Sequence, residues 1–198
     1  MDVVAVTREI TVELVEKAYQ HAVFPMAAPE HGVFTWHRPE PRAVIPLSEM
    51  HVPRRLARTV RSSRFRISFD HTFTEVMRGC AEGRPVWIGK EFYHVYGELH
   101  RQSKAHSVEV WSGERLVGGL YGVHFGGAFF AESKFHRERD ASKVALVALV
   151  ERLRARGFAL LEVQYLTSHL AQFGTVTISD REYVSRLKRA LALRCTFA

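Results

Sequence analysis

The chain has 198 residues, of which 46% are hydrophobic and 11% aromatic, an ordinary balance for a globular protein with one sizeable core. No segment combines a basic start, an apolar middle and a small-residue cleavage site, and the apolar run from Val144 to Val150 is too short to cross a bilayer. Two cysteines, Cys80 and Cys195, are too few for a disulfide framework. A soluble protein of the reducing cytoplasm is therefore expected.

The first forty residues predict a small subdomain made of one helix and a proline-rich segment. The apolar residues between Thr11 and His21 recur at helical spacing. Prolines between positions 25 and 41 are expected to prevent regular structure there. We therefore predict a small N-terminal subdomain over residues 1–40 and a catalytic domain over residues 41–198.

The remainder of the chain alternates helices and strands. In chain order we predict a strand at Phe65–Phe69, a helix at Thr72–Cys80, a helix at Lys90–Gln102, strands at Ser107–Trp111, Arg115–Phe125 and Ala128–Ser133, a helix from Asp140 or Ser142 to about Arg156, a buried strand at Phe158–Leu166, and a last helix capped by Ser179 with Tyr183, Val184, Leu187 and Leu191 inward. This order of meander, helix and strand indicates an α+β fold with a core like that of the Gcn5-related N-acetyltransferases.

A cluster of arginines accounts for much of the positive charge of the chain. The formal net charge is +7 and the pI is about 9.7, which favours a polyanionic partner. On a helix, Arg54, Arg58 and Arg61 share one face while Leu56 and Val60 turn inward. A phosphate-binding surface and an ordinary solvated helix face are both compatible with this pattern. The full cluster consists of Arg54, Arg55, Arg58, Arg61, Arg64 and Arg66.

Two polar residues interrupt the apolar strand predicted at Phe158–Leu166. Glu162 and Gln164 are two positions apart, so on a strand their side chains project from the same face. A structural hydrogen-bonded pair and a catalytic pair are the two interpretations. An RNA-binding module without catalytic activity would explain the arginines but not this pair.

The chain lacks the signals of two common kinds of cofactor or metal site. An acetyl-CoA-dependent acetyltransferase needs a glycine-containing loop at a helix N-terminus, so that backbone N–H groups can converge on pyrophosphate. The corresponding loop here, residues 137–142, contains no glycine and two carboxylates. The histidines and cysteines do not have metal-ligand spacing, so we predict no metal site.

Several motifs together resemble those of one bacterial enzyme family. They are Tyr19-x4-Phe24-Pro25, Trp36-x2-Pro39-x-Pro41-Arg42, Ala105-His106-Ser107-Val-Glu-Val-Trp111, Phe130-Ala-Glu-Ser-Lys-Phe135, Asp140-Ala-Ser-Lys-Val-Ala-Leu146, and Leu161-Glu-Val-Gln-Tyr-Leu166 followed by His169 and Gly174. In this order and spacing they resemble the leucyl/phenylalanyl-tRNA-protein transferases. The resemblance runs from Tyr19 to Tyr183, most of the chain.

The resemblance implies transfer of an aminoacyl group from tRNA to the N-terminus of a protein. Leucyl is the first expected donor and phenylalanyl the second, and the expected acceptors begin with Arg or Lys and are thereby marked for N-degron degradation. The implied enzyme is a cytoplasmic monomer that uses no cofactor. The alternatives are the same reaction with another donor or acceptor amino acid, and acetyl transfer from acetyl-CoA.

The resemblance also implies roles for individual residues. Glu162 and Gln164 stand at the family's Asp-x-Gln and are expected to be catalytic. The implied aminoacyl pocket consists of Leu120, Glu132, Lys134, Leu149, Leu153 and Leu161. The implied contacts to the terminal adenosine and the rest of the tRNA are Met26, Trp36, Arg42, Trp111, Arg54, Arg55, Arg58 and Arg61. Lys134 replaces a family methionine, and Met26 replaces a tryptophan that stacks on adenine.

Overall fold

In a computed structural model of the protein, residues 2–82 and 89–198 are described. The strands are β1 Val3–Thr7, β2 Phe24–Ala28, β3 Val33–His37, β4 Arg42–Val44, β5 Arg66–Phe69, β6 Ala105–Ser112, β7 Arg115–Phe125, β8 Ala128–His136, β9 Leu160–Glu162 and β10 Val176–Ile178. The helices are α1 Val12–Gln20, α2 Arg54–Arg61, α3 Phe73–Ala81, α4 Lys90–Arg101, α5 Ala141–Ala155, α6 Ser168–Ala171 and α7 Asp180–Leu191. None of these described helices is both long and apolar enough to cross a membrane.

The strands form two sheets. The larger has seven strands in the order β10-β4-β9-β8-β7-β6-β5, and the smaller has three in the order β1-β3-β2. Strands β8 and β9 are parallel and are connected through α5, whereas the other pairs in the larger sheet are antiparallel. The predicted α+β class and the predicted order of meander, helix and strand are confirmed.

Two apolar clusters hold the larger sheet between layers of helices. One cluster includes Tyr19 of α1 and Tyr96 of α4, together with Phe130 of β8. The other includes Leu149 of α5 and Phe129 of β8. Because successive side chains of a strand point to opposite faces, Phe129 and Phe130 each contribute to a different cluster.

The prediction that prolines prevent regular structure in the N-terminal segment is wrong. Residues 24–28 and 33–37 form an antiparallel hairpin, and β1 completes the sheet on the other side of β3. Pro25 is tolerated because β2 is an edge strand, where a missing N–H leaves no partner unpaired. The predicted boundary between residues 40 and 41 stays a prediction. Tyr19 of α1 packs on Phe130 of the larger sheet, with 4.8 Å between the ring centroids.

Other details of the predicted elements are also corrected. The strand predicted at Phe158–Leu166 is limited to Leu160–Glu162, because Gln164 has a left-handed backbone with φ of 56°. Val184 of α7 is 39% exposed and does not face inward. Asp140 precedes α5, but its side chain makes no capping hydrogen bond. The short elements β4, α6 and β10 were not predicted, since three or four residues are too few to show a periodic pattern.

A buried ion pair joins β4 to β9. Arg42 Nη1 donates to Glu162 Oε1 at 2.7 Å, and both side chains are only 1% exposed. The same guanidinium donates to the carbonyl oxygen of Ala22, which follows α1, and lies 4.4 Å from the ring centroid of Tyr183 in α7. One arginine therefore connects the N-terminal segment, the larger sheet and the C-terminal helix.

Replacing Arg42 with methionine should lower the free energy of unfolding by about 3–5 kcal/mol, because it leaves the Glu162 carboxylate buried without its counter-charge. The measurement is urea unfolding at pH 7. Removing both charges in Arg42→Met/Glu162→Leu should cost clearly less than Arg42→Met alone. If the free energy of unfolding of Arg42→Met lies within about 1 kcal/mol of the wild-type value, which is roughly what an exposed ion pair contributes, this account is contradicted.

Candidate active site

A cavity opens where β8 and β9 separate. The two strands pair only through Ala128–Phe130 and Leu160–Glu162, after which β8 continues with β7 alone. The cavity has a volume of about 180 Å³. Its lining consists of Leu120, Ala131, Glu132, Ser133, Lys134, Leu146, Val163, Gln164 and Leu170. A gap between diverging strands gives a ligand access to side chains that a continuous sheet would cover.

Glu132 lies at a β-bulge in β8. Tyr121 pairs with Ser133 and Gly122 pairs with Ala131, so Glu132 is the extra residue with no partner on β7. The bulge reverses the alternation of the strand. As a result Phe130 and Phe135, five residues apart, belong to the same apolar cluster, and Ala131 and Lys134 both line the cavity. Residues on both sides of Glu132 can therefore contribute to one site.

Two tyrosines and one amide surround the Glu132 carboxylate. Tyr96 Oη donates to Glu132 Oε2 at 3.3 Å, and the Tyr19 and Tyr96 hydroxyls are 2.9 Å apart. Gln164 Nε2 donates to Glu132 Oε1 at 3.3 Å. Burial, followed by the negative charge of Glu162, raises the pKa of Glu132 to about 8, although the tyrosine hydrogen bonds oppose the shift. Glu132 thus changes its charge near neutral pH.

Gln164 reaches the cavity by a route that the sequence did not predict. A regular strand would have placed Glu162 and Gln164 on one face, and this prediction is wrong. After Glu162 the chain separates from β8 but stays bonded to β4, since the N–H of Ala43 donates to the Gln164 carbonyl oxygen at 3.1 Å. The left-handed backbone at Gln164 directs its amide to Glu132. The carboxylate of Glu162 instead pairs with Arg42, away from the amide of Gln164. Burial raises the pKa of Glu162 and the Arg42 charge opposes that shift.

The apolar wall of the cavity differs in part from the predicted pocket. Leu120 and Lys134, two residues of the predicted pocket, line the cavity together with Leu146, Val163 and Leu170. Leu149, Leu153 and Leu161 are instead fully buried in the apolar cluster of α5 and do not line the cavity. Leu149 and Leu153 lie one and two helical turns after Leu146, farther along α5. The leucines were predicted by type, but which of them reach the cavity depends on their position along α5.

Sequence reasoning missed Tyr19 and Tyr96 as neighbours of Glu132. Tyr19 belongs to one of the quoted motifs, and Tyr96 lies within the helix predicted at Lys90–Gln102. Both are buried, and their shared hydrogen bond connects two helices that are 77 residues apart in sequence. The available signal was a tyrosine, in place of a phenylalanine, on an inward-facing position, because a buried hydroxyl needs a hydrogen-bond partner and so indicates a polar neighbour.

The residues predicted to contact the terminal adenosine do not come together. Arg42 and Trp36 are both buried, the first against Glu162 and the second with its Nε1 donating to Thr7. Trp111 lies at the far side of the larger sheet, where its Nε1 donates to Ser68. Met26 is half-buried on the edge strand β2. The burial of Arg42 contradicts its predicted contact with RNA, because its guanidinium is already used inside the protein.

The predicted basic helix is confirmed as α2. Leu56 is buried, whereas Arg54, Arg58 and Arg61 are exposed. Within residues 2–82 and 89–198, no carboxylate forms an ion pair with these three guanidinium groups. Arg55, in contrast, lies 4.0 Å from Asp140. The surface of α2 therefore carries three cations that no acidic side chain of the described structure neutralises.

The loop before α5 does not fit a pyrophosphate. Glu138 accepts from Arg64 at 2.9 Å and from Arg115 at 3.0 Å. Asp140 lies directly before α5 and pairs with Lys143 at 3.4 Å. Both carboxylates are occupied by these ion pairs, and the loop has no glycine that would let backbone N–H groups converge on a phosphate, which argues against acetyl-CoA.

Comparison with solved structures finds similar chains at low identity. L-PGS from Bacillus licheniformis matches with a TM-score of 0.47 at 10% identity, over 78% of this chain and 65% of that one. Ribosomal-protein-alanine N-acetyltransferase from Brucella melitensis matches with a TM-score of 0.41 at 15% identity, over 52% of this chain and 82% of that one.

Comparison of sequences finds much closer relatives. Leucyl/phenylalanyl-tRNA--protein transferase of Gloeobacter violaceus is 50% identical over 188 residues, covering 95% of this chain and 97% of that protein. The enzyme of the same name from Phenylobacterium zucineum is 55% identical over 184 residues, covering 90% and 83%. The family model described as leucyl/phenylalanyl-tRNA protein transferase matches residues 44–188, which include the cavity and α2. The chain therefore belongs to the leucyl/phenylalanyl-tRNA protein transferase family.

Proposed function

We propose that this aminoacyltransferase moves leucyl, and secondarily phenylalanyl, from charged tRNA to the α-amine of proteins that begin with Arg or Lys. The observation that carries the proposal is the contact between Gln164 and Glu132 at a cavity with an apolar wall. Together with family membership, this contact supports a site that holds an aminoacyl group beside polar side chains. The setting we propose is the cytoplasm, with the enzyme a monomer and the product marked for N-degron degradation.

The reaction is the aminolysis of an ester. The amine nitrogen forms an amide bond with the aminoacyl carbonyl carbon, the ester C–O bond breaks, and the ribose oxygen of the terminal adenosine leaves with a proton taken from the amine. The ester is already activated, so the step needs no ATP. Alignment of the two substrates can account for roughly 7–11 kcal/mol of the barrier in favourable cases.

Gln164 and Glu132 fit complementary roles in this step. An amide does not act as a base, but its N–H can donate to the carbonyl oxygen that becomes negative in the tetrahedral intermediate. Glu132, with a pKa of about 8, matches the pKa of roughly 7.7–8.0 of an α-amine and can accept its proton. Tyr96 holds the carboxylate in place. Glu162 acts indirectly, because its charge raises the pKa of Glu132 and its carboxylate pairs with Arg42.

The wall of the cavity supports an apolar donor. Leu120, Leu146 and Leu170 provide a surface suited to a leucine-sized side chain. Lys134 can line such a wall with its methylene stem while its ammonium reaches towards water. The preference for acceptors that begin with Arg or Lys rests on the family resemblance, because Glu162 is paired with Arg42 and Glu132 keeps its proton up to about pH 8.

A transfer assay tests the proposal. With leucyl-tRNA and a peptide that begins with Arg, the protein should form leucyl peptide without acetyl-CoA or ATP. Gln164→Ala should lower kcat by about 100-fold or more, the usual loss when one oxyanion donor is removed. Formation of leucyl peptide is followed with radiolabelled leucine.

The control is His31→Ala, because His31 is exposed in the turn between β2 and β3, away from the cavity. It should retain the wild-type rate. Acetylation of the peptide from acetyl-CoA, in the absence of transfer from any charged tRNA, would reject the proposal. A Gln164→Ala variant with a wild-type rate at saturating substrate would make the Gln164 contact structural.

The raised pKa of Glu132 predicts a pH dependence of stability. The folded protein keeps this proton up to about pH 8, whereas the unfolded chain releases it near pH 4.5. The contribution of Glu132 is therefore lost as pH rises, with a slope of up to about 1.4 kcal/mol per pH unit between these values. Subtracting the unfolding free energies of Glu132→Gln from those of the wild type at each pH should isolate this slope. A difference that is flat from pH 5 to pH 8 would mean that Glu132 has an ordinary pKa.

The surface of α2 predicts a salt-dependent contact with tRNA. The triple variant Arg54→Ala/Arg58→Ala/Arg61→Ala should bind tRNA more weakly and reduce the slope of log K against log salt by about 3, roughly one for each lost phosphate contact. Filter binding at several salt concentrations measures this. A matched triple on another exposed helix, Arg181→Ala/Lys188→Ala/Arg189→Ala, controls for net charge. Equal losses in both variants would indicate a general charge effect and no site on α2.

A further inference from the structure

The outer edge of β1 is exposed and apolar. Its sequence is Val-Val-Ala-Val-Thr, and Val3, Val4 and Val6 are 43%, 56% and 57% exposed. Strand β3 pairs with one side of β1, and no other strand of the described chain pairs with its second side. An unpaired strand edge presents free backbone N–H and C=O groups that can form hydrogen bonds with another extended chain.

The other sheet edges of the described residues carry features that discourage pairing. Strand β2 contains Pro25, which lacks an N–H. Strand β10 has only three residues. Strand β5 begins with Arg66, whose guanidinium lies 5.0 Å from the ring centroid of Trp111. Proline, short length, charge and bulges are the usual protections of an edge. Strand β1 has neither proline nor charge, and its register shift at Val4 leaves Ala5 to Thr7 in regular pairing with β3.

An open groove runs beside β1. It lies between β1 and α1 and has a volume of about 320 Å³. Its lining is mostly apolar and consists of Val4, Ala5, Thr7, Leu14, Lys17, Ala18, His21, Val23 and Trp36. Leu14 is a large apolar residue, and like the β1 valines it is exposed, with 40% of its surface accessible. A groove of this kind next to a free strand edge can take the side chains of an added strand while the edge takes its backbone.

The start of β1 is joined to the active site. Tyr165 follows Gln164 in the chain, and its hydroxyl donates to Asp2 Oδ2 at 3.0 Å. The backbone N–H of Arg38 donates to the Asp2 carbonyl oxygen at 2.7 Å, which holds Asp2 next to the end of β3. Asp2 directly precedes β1, so this hydrogen bond connects the segment after Gln164 to the start of the strand. A peptide with its amine at Gln164 can therefore reach the first residues of β1.

We propose that the β1 edge and the groove beside it bind the acceptor protein, taking the segment that follows its N-terminal residue as an added strand parallel to β1. This inference rests on the proposed function, since it assumes a peptide amine at Gln164. Backbone pairing does not depend on side-chain identity, so it suits an enzyme whose acceptors share only their first residue. The groove also lacks the cluster of arginines that α2 offers to phosphates, which favours a peptide over RNA here.

Acceptor length provides the test, with two peptides that begin with the same Arg. A dipeptide spans about 7 Å, at roughly 3.3 Å per residue. This is roughly the length of the Tyr165 side chain, which lies between Gln164 and Asp2, so we expect a dipeptide bound at Gln164 to end before Val4. A ten-residue peptide can follow all of β1. We expect a KM about tenfold lower for the longer peptide, equivalent to about 1.4 kcal/mol, with similar kcat.

The variant Val4→Thr/Leu14→Gln removes apolar side chains from the groove without changing charge. It should bring the KM of the long peptide to within about twofold of the dipeptide value and leave dipeptide transfer unchanged. The matched control is Val184→Thr/Leu193→Gln, which alters two residues of similar exposure near the C-terminus and should keep the length dependence. Methylation of alternate backbone nitrogens of the long peptide should raise KM only where the N–H faces β1.

Three outcomes would overturn the inference. Equal KM values for the two peptides would show that nothing beyond the first residues is bound. A length dependence that persists in Val4→Thr/Leu14→Gln, and that methylation of the peptide backbone does not change, would place the binding elsewhere. A dimer in sedimentation equilibrium that this variant dissociates would assign the edge to a second copy of the chain. Failure of transfer to the dipeptide as well would instead count against the proposed function itself.

Discussion

The buried ion pair between Arg42 and Glu162 is the interaction on which the arrangement of the site depends. Strands β4 and β9 are three residues each, and their backbone contact consists of the pairing of Val44 with Glu162 and hydrogen bonds that join Ala43 and Ile45 to residues 161–164. The ion pair adds a side-chain connection between them and extends it to Ala22 and to the ring of Tyr183. Charged groups are seldom buried unless paired, because desolvation costs several kcal/mol per ion, roughly. Here the ion pair holds β9 in place, and Gln164 follows two residues after the end of that strand.

Two irregularities of the backbone then bring the side chains of Glu132 and Gln164 together. The bulge at Glu132 and the left-handed conformation at Gln164 both interrupt regular strands, and their side chains meet at 3.3 Å. A left-handed backbone is unfavourable for residues other than glycine and persists where the surrounding structure imposes it. Bulges likewise redirect side chains next to sites. The contact between Glu132 and Gln164 is thus a product of departures from regular structure, supported by a regular sheet.

These departures explain how much of the molecule could be predicted from the sequence. The meander, α5, the α+β class and the basic helix α2 follow from periodicity and turn residues, which are local signals. The identity of Glu132 and Gln164 as site residues came from motif resemblance. Their mutual geometry did not follow, because alternation along an assumed strand placed Gln164 beside Glu162. The depth of Leu149 and Leu153 in the core, and the burial of Arg42, depend on contacts between distant segments that periodicity does not contain.

The bulge in β8 also determines which changes the strand can accept. Glu132 is an extra residue that the bulge absorbs, so the side chains after it keep the partners on β7 that a regular strand would give them. Deleting Glu132 would leave Phe130 and Phe135 four positions apart, still on the same face, and would leave Ala131 and Lys134 facing the cavity. An insertion in a regular part of the strand would instead turn every following side chain to the opposite face. The sheet therefore does not need Glu132, and what the deletion would remove is the carboxylate that Tyr96 and Gln164 contact.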